Sequence, residues 1–249
     1  MSLEHARGAN RSRPWPLPDG PWVMAQSWHD LLFAHWLVPR EALRPLVPAS
    51  LPLDTRGGEA WIGVVPFRMT GIRPRFLPAV PWLSAFPELN VRTYVTRDGK
   101  PGVFFFSLDA ANPVAVVAAR RFYHLPYFRA RMSLTHDGDG VGYASQRSHR
   151  GAPPAEFRAR YGPMGPVGRA EAGSLAHWLT ERYCLYAVDP AGGVWRCEIH
   201  HEPWPLQPAE ATIQTNTMTR PLDLELRGAP LLHFARRLDV AVWPLQAVR

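Results

Sequence analysis

Proline interrupts this chain along most of its length, with 27 prolines among 249 residues. A proline removes a backbone donor and breaks the interior of a helix, so the sequence disfavours long uninterrupted helices. The segments between the prolines are rich in β-branched and aromatic residues, which are typical of strands. The spacing of the prolines therefore predicts strands, turns and a few short helices.

The clearest predicted unit is a β-hairpin over residues 90–110. It begins with the alternating strand "NVRTYVT", turns at "RDGKPG" and continues with "VFFFSLDA". The Asp-Gly pair in the turn is the strongest short-range signal for a tight hairpin. The next segment, "NPVAVVAARRFYHL", predicts a helix with Asn112 as its cap and Pro113 at its first position. Further hairpins of this kind predict an α+β fold that is mostly antiparallel β.

Two other segments predict long strands. "MAQSWHDLLFAHWLV" is dense in large apolar residues and indicates a buried strand, and "VWRCEIHHEPWPLQPAEATIQ" reads as a late partner strand. No repeat, low-complexity block or linker divides the chain. The sequence therefore predicts one domain over residues 21–249, preceded by a flexible arm over residues 1–20.

The net charge of +7 raises the question of nucleic-acid binding. The cations are spread along the chain without a recognised binding motif, so no nucleic-acid partner is expected. Two cysteines are too few for a disulfide framework. The N-terminus has no apolar signal segment, and the longest aliphatic run is far too short to cross a bilayer. We expect a soluble, cytoplasmic protein without a membrane partner. The sequence leaves the oligomeric state open, and a homo-oligomer is possible.

The segment "CEIHHEPWPLQPAE" suggests a metal site at first sight. On a strand, His200 and Glu202 share one face, while His201 lies on the other face with Ile199. Two ligands on a face are fewer than a zinc site needs, and the motifs HExxH and CxxC are absent. We therefore predict no metal here. The segment is either a strand end tied down by hydrogen bonds or the wall of a pocket.

A second cluster lies on the strand "FPELNVRTYV". Glu88, Asn90, Arg92 and Tyr94 alternate with mostly apolar residues and so share one face. Two interpretations remain open for this face: it meets solvent, or it lines an interior where the guanidinium binds an anionic ligand. No GxGxxG, Walker or GxSxG sequence is present, so no cofactor is predicted.

A third cluster, "ARRFYHLPYFRARM", surrounds the end of the predicted helix. Arg120, His124 and Tyr127 lie close to Pro126, which stops the helix. Two interpretations remain open for Tyr127: it packs in the core, or it points into a pocket beside the neighbouring hairpin.

Several stretches together resemble the YqjF-like bacterial family, domain of unknown function 2071. The resemblance covers about residues 22–246, and the matching stretches read "WHDLLFAHW", "AWIGVVPFRM", "FPELNVRTYV", "GVFFFSLDA", "AARRFYHLPY", "LTERYCLYA" and "IHHEPWPLQ". That family is in turn similar to the acetoacetate decarboxylase superfamily. The resemblance implies a cone-shaped antiparallel β-barrel around an enclosed pocket for a small-molecule ligand.

The resemblance also implies a change of chemistry. In the decarboxylase, a reactive lysine after a proline forms a Schiff base with the keto acid. "AARRFYHLPYF" lines up with that region, so that Tyr127 takes the place of the reactive lysine and Phe128 that of a second lysine. The only lysine of the chain, Lys100, lies in a predicted turn, and tyrosine does not form an imine. We therefore predict that Schiff-base decarboxylation is absent.

These clusters define the predicted site. If the protein is an enzyme, the sequence and the resemblance favour a lysine-independent lyase or proton-transfer reaction on a small carbonyl or carboxylate compound. The alternative is a non-catalytic barrel that binds or senses a small ligand. The candidate catalytic residues are Glu88, Tyr127 and His201, and the candidate ligand-binding residues are Asn90, Arg92, Arg120, His200 and Trp204.

Overall fold

A computed structural model of the protein describes residues 13–80 and 82–248. Within these residues one sheet contains eleven strands. They are β1 Met24–Val38, β2 Ala60–Pro74, β3 Phe86–Arg97, β4 Lys100–Ala110, β5 Tyr127–Asp137, β6 Gly140–Arg147, β7 Glu156–Pro163, β8 Cys184–Val188, β9 Val194–His201, β10 Gln207–Asn216 and β11 Leu231–Val248. The α-helices of the same residues are α1 Arg40–Leu43, α2 Pro113–Tyr123 and α3 Leu175–Thr180, with 3-10 turns at Arg44–Leu46 and Arg220–Leu222.

The sheet closes on itself because its first and last strands pair. β1 pairs antiparallel with β11, and the order runs from β1 through β7, then β10, β11, β9 and β8. β4 has two parallel neighbours, β5 near its end and β8 near its start, while the other pairings are antiparallel. This closed, mostly antiparallel ring with short helices confirms the predicted fold class.

Strands β1, β2 and β3 are buried on both faces, which explains their long runs of apolar residues. One face contributes to a solid core that we call the packed half, which includes Ile62, Val64, Leu89, Phe157 and Tyr161. The other face contributes to a core that we call the cavity half, which includes Phe67, Phe86, Tyr127, Trp204 and Val240.

The predicted hairpin is confirmed as β3 and β4, which turn at Asp98 and Gly99. Both turn residues have positive φ angles, of 53° and 71°. The predicted helix is confirmed as α2, where the Asn112 side chain accepts hydrogen bonds from the backbone N–H groups of Val114 and Ala115 at 3.0 and 3.1 Å. The helix ends at His124, whose backbone is left-handed, so the chain turns sharply before β5 begins.

The prediction of one strand over "VWRCEIHHEPWPLQPAEATIQ" is wrong, because this segment forms two strands. β9 ends at His201, and residues 202–206 leave its edge, since Pro203 and Pro205 have no N–H for a ladder. The chain then forms β10, which pairs mainly with β7 instead of extending β9. β7 was not identified from the sequence.

The N-terminal segment contacts β9 where it is described. The Arg13 side chain is buried and ion-paired with Glu198, and Trp15 Nε1 donates a hydrogen bond to the same carboxylate at 2.8 Å. Residues 1–12 of the expected arm lie outside the described residues. The division into an arm and a single domain stays a prediction.

Candidate functional site

The cavity half encloses a cavity of about 240 Å³. Its walls are mostly apolar side chains from β1, β2, β4, β8, β9 and α2. Its polar groups come from β3 and from residues 180–182, and they also include Gln26, Tyr127 and His201. The polar groups form a floor between apolar walls.

The polar face of β3 supplies much of that floor. Glu88, Asn90 and Arg92 all line the cavity and are only 2%, 5% and 9% exposed. Of the two orientations that the sequence left open, the structure has the inward one. Tyr94 continues the same face but bonds to His35 Nε2 at 2.6 Å and does not line the cavity.

At one end of the floor, Glu88 and Tyr127 form a hydrogen-bonded pair. The Tyr127 hydroxyl donates to Glu88 Oε2 at 2.8 Å. Burial raises the pKa of Glu88 to about 8, against the opposing effect of this hydrogen bond. Burial, together with the neighbouring Glu88 carboxyl, raises the pKa of Tyr127 well above its usual value. At neutral pH this end of the cavity therefore holds two protonated oxygen acids in contact.

At the other end, two guanidinium groups meet. The Arg92 Nη2 donates to the Leu179 carbonyl oxygen at 3.4 Å, and Arg182 is ion-paired with Asp54. Within the described residues, no carboxylate lies within ion-pair distance of Arg92, and Arg182 Nη2 is buried without a hydrogen-bond partner. This end therefore carries a net positive charge and free donors.

The two histidines of the segment that suggested a metal lie on opposite faces of β9. His201 lines the cavity, with Nδ1 at 2.8 Å from the Glu202 carbonyl oxygen and Nε2 at 3.3 Å from the Arg182 carbonyl oxygen. A neutral ring has a single N–H, so only one of these contacts is a hydrogen bond at a time. The ring also stacks on Tyr183 at 4.6 Å, so it is held firmly.

His200 is buried outside the cavity lining. Neither of its ring nitrogens has a hydrogen-bond partner among the described residues, and burial lowers its pKa to about 4. The side chain is therefore a neutral imidazole in the structure. The predicted role of His200 in ligand binding is therefore not supported, because Glu88 lines the cavity and His200 does not.

Trp204 lines the cavity, whereas Arg120 does not. The Trp204 ring stacks on Trp28 with centroids 5.7 Å apart, and its buried Nε1 has no partner within the described residues. Arg120 instead donates from Nη1 to the Tyr127 carbonyl oxygen at 2.8 Å and lies over the Phe128 ring. It therefore supports the backbone at Tyr127 from outside.

The polar or aromatic lining residues that the sequence prediction missed include Thr180, Arg182 and Trp28. Thr180 ends α3 and Arg182 precedes β8, so neither lies on an element with a readable period. The one available signal was the stretch "LTERYCLYA", which contains both and belongs to the matching family segments.

Neither the thiols nor the lysine offers an activated nucleophile. Burial raises the pKa of Cys197, which lines the cavity, to about 12, and burial does the same for Cys184. Lys100 lies outside the lining and donates to Glu198 Oε1 at 2.6 Å. Across residues 13–80 and 82–248, no group of three or more His, Cys, Asp or Glu side chains is arranged to hold a metal ion.

Sequence comparison now identifies the family. A family model described as "Uncharacterized conserved protein", domain of unknown function 2071, matches residues 25–239. The chain belongs to this family. It is also 50% identical over 231 residues to the uncharacterized protein YqjF of Bacillus subtilis (strain 168), covering 92% of this chain and 94% of YqjF. The predicted family membership is confirmed.

Solved structures with the same fold are distant in sequence. The enduracididine biosynthesis enzyme MppR complexed with pyruvate has a TM-score of 0.63 at 11% identity, with 96% of this chain and 94% of MppR covered. The acetoacetate decarboxylase of Legionella pneumophila has a TM-score of 0.62 at 12% identity, with 100% and 96% covered. These similarities show an acetoacetate decarboxylase-like fold.

No helix in the described part of the chain is both long enough and apolar enough to cross a membrane.

Proposed function

We propose that the cavity binds a small carbonyl or carboxylate compound and that Glu88 exchanges a proton with it without a Schiff base. The observation that carries this proposal is the hydrogen bond of 2.8 Å between Tyr127 and Glu88 at the polar floor of a cavity. A carboxyl group with a pKa near the working pH is well suited to both halves of a proton transfer.

The proposed step is proton transfer beside a carbonyl group. The ionised fraction of Glu88 takes the proton from the carbon next to the carbonyl, and the protonated carboxyl returns it. Tyr127 keeps its own proton, since its pKa is raised well above the usual value, and its hydroxyl stabilises the ionised Glu88 carboxylate. When Glu88 takes the proton, the negative charge passes to the enolate oxygen of the compound. Arg92 holds the carboxylate of the compound. His201 completes the wall and is the further candidate proton donor from the sequence.

The comparisons support the class of ligand. The MppR structure with the same fold is complexed with pyruvate, and a second neighbour is an acetoacetate decarboxylase. The residue that lines up with the reactive lysine is Tyr127, and Lys100 lies outside the cavity lining. We therefore expect no covalent adduct when the protein is treated with borohydride and an oxo acid.

Solvent exchange of a carbon-bound proton tests the proposal. The protein is incubated in D2O with a panel of oxo acids of three to eight carbons, and loss of the proton next to the carbonyl is followed by NMR. We expect catalysed exchange with at least one compound, and a loss of roughly 100-fold or more in Glu88→Gln. Glu156→Gln, at a partly exposed position on β7, is the matched control. Unchanged exchange in Glu88→Gln, or a lysine adduct after borohydride, would contradict the proposal.

A non-catalytic binding protein is the second candidate, and the mostly apolar cavity wall favours it. Such walls bury most of the surface of a small ligand. Binding of a panel compound by calorimetry, without catalysed exchange of its protons, would identify this function.

A further inference from the structure

The acid–base pair and the cationic end of the cavity are separated along one strand. Glu88 and Arg92 lie on the same face of β3, four residues apart, and both line the cavity. At about 3.3 Å per residue, their Cα atoms are about 13 Å apart. The regular pairing of Phe67 with Glu88 and of Gly63 with Arg92 on β2 preserves this spacing.

Contacts hold the two side chains at their own ends. The Glu88 carboxyl is bonded to Tyr127, which comes from β5. The Arg92 guanidinium lies 5.2 Å from the Phe33 ring and 5.8 Å from the Tyr94 ring, and it donates to the Leu179 carbonyl oxygen. Within the described residues no ion pair links Arg92 to Glu88, so the two functional groups stay apart.

The cationic end has the charge and the donors for a carboxylate. Arg182 also lies there, 4.7 Å from the Tyr94 ring, and its charge is offset by Asp54. Arg92 has no such partner among the described residues, and its buried Nε makes no hydrogen bond. A ligand carboxylate would supply both the missing charge and a missing acceptor.

The space between the ends is mostly apolar, with Asn90 as the polar group on β3. Val65, which pairs with Asn90, and Phe105, which pairs with Arg92, line it together with the stacked pair Trp28 and Trp204. A chain of methylene groups would be desolvated there, which favours binding by about the transfer free energy of each group.

We infer that the preferred ligand is an elongated oxo acid, with its carboxylate at Arg92 and Arg182 and its carbonyl at Glu88 and Tyr127. This inference rests on the proposed function. Two hydrogen bonds of about 3 Å each reduce the span of about 13 Å to about 7 Å within the ligand. With C–C bonds of about 1.5 Å in a zigzag chain, this corresponds to about five bonds between the two groups. The optimum is a chain of about six to eight carbons, and 3-oxobutanoate is too short.

A series with fixed end groups and variable spacing tests the inference in the unmodified protein. Calorimetry compares 3-oxobutanoate, 4-oxopentanoate, 5-oxohexanoate, 6-oxoheptanoate and 7-oxooctanoate. We expect affinity to peak at 6-oxoheptanoate or a neighbour, at least tenfold above 3-oxobutanoate. Equal or falling affinity with length would overturn the inference. If proton exchange is still catalysed in short oxo acids in that case, the proposed function stands; if no compound binds, both fail.

The placement of the carboxylate is tested by Arg92→Met. We expect at least a tenfold loss of affinity for 6-oxoheptanoate and no change for the neutral ketone 2-heptanone. Arg158→Gln, at an exposed position on β7, is the matched control and should change neither affinity. Equal losses for the acid and the ketone would overturn the assignment of the carboxylate to Arg92.

Discussion

The packed half and the cavity half share β1, β2 and β3 but treat their buried polar groups differently. In the packed half, the Tyr143 hydroxyl donates to the Glu88 carbonyl oxygen at 2.7 Å, and that of Tyr161 donates to the Asp30 carbonyl oxygen at 2.9 Å. In the cavity half, Asn90 Oδ1 and Arg92 Nε have no partner among the described residues. Buried polar groups without a hydrogen-bond partner lower the free energy of unfolding, so these groups make the cavity half less stable than it would be with apolar residues.

Two buried arginines give the largest expected contrast. Arg147 forms three hydrogen bonds with the buried Asp109 carboxylate, whereas Arg92 has no such partner within the described residues. Arg147→Met should lower the free energy of unfolding by about 3–5 kcal/mol, because it leaves Asp109 buried and unpaired. Arg92→Met should raise it by about 1 kcal/mol. Denaturant unfolding measures both, and equal losses would contradict the distinction between the paired and the unpaired arginine.

The dependence of stability on pH is the next effect. The folded-state pKa of Glu88 is raised to about 8, so the unfolded chain releases this proton at lower pH than the folded protein does. The resulting stability is fully present below the unfolded pKa and is lost as pH rises through about 8, by roughly 1.4 kcal/mol per pH unit in between. The difference between the unfolding free energies of the protein and of Glu88→Gln from pH 5 to pH 8 should show this slope, because other titrating groups such as His200 contribute equally to both. Parallel curves would show that Glu88 ionises normally.

Two adjacent valines on β2 give the smallest effect. Val64 faces the packed half and Val65 lines the cavity, and both are almost fully buried. Val64→Ala should cost about 2 kcal/mol, since it leaves a new void in a solid core. Val65→Ala should cost about 1 kcal/mol less, because its side chain already lacks neighbours on the cavity side. Thermal unfolding compares the pair, and a larger loss for Val65 would contradict the comparison.

The sequence predicted the local features well because they depend on neighbours in the chain. The Asp-Gly turn, the Asn112 cap and the shared face of Glu88 and Arg92 follow from turn chemistry, capping and the period of a strand. Contacts between distant segments were not readable. Arg182 reaches the cavity through an irregular segment, and the ties of His201 to two carbonyl oxygens depend on how β9 ends. The resemblance brought Tyr127 and Glu88 into one hypothesis, but their hydrogen bond required the register of β4 and β5.

Closure of the sheet through β1 and β11 has a consequence for synthesis. Ser27 bonds to Asp239, 212 positions along the chain, so the ring is completed only when almost all of the protein has left the ribosome. Contacts of such long sequence separation form slowly, and until they form, the apolar edges of both strands stay uncovered. A ligand that requires the finished cavity would therefore act on the last stage of folding and favour the closed ring over its open precursors.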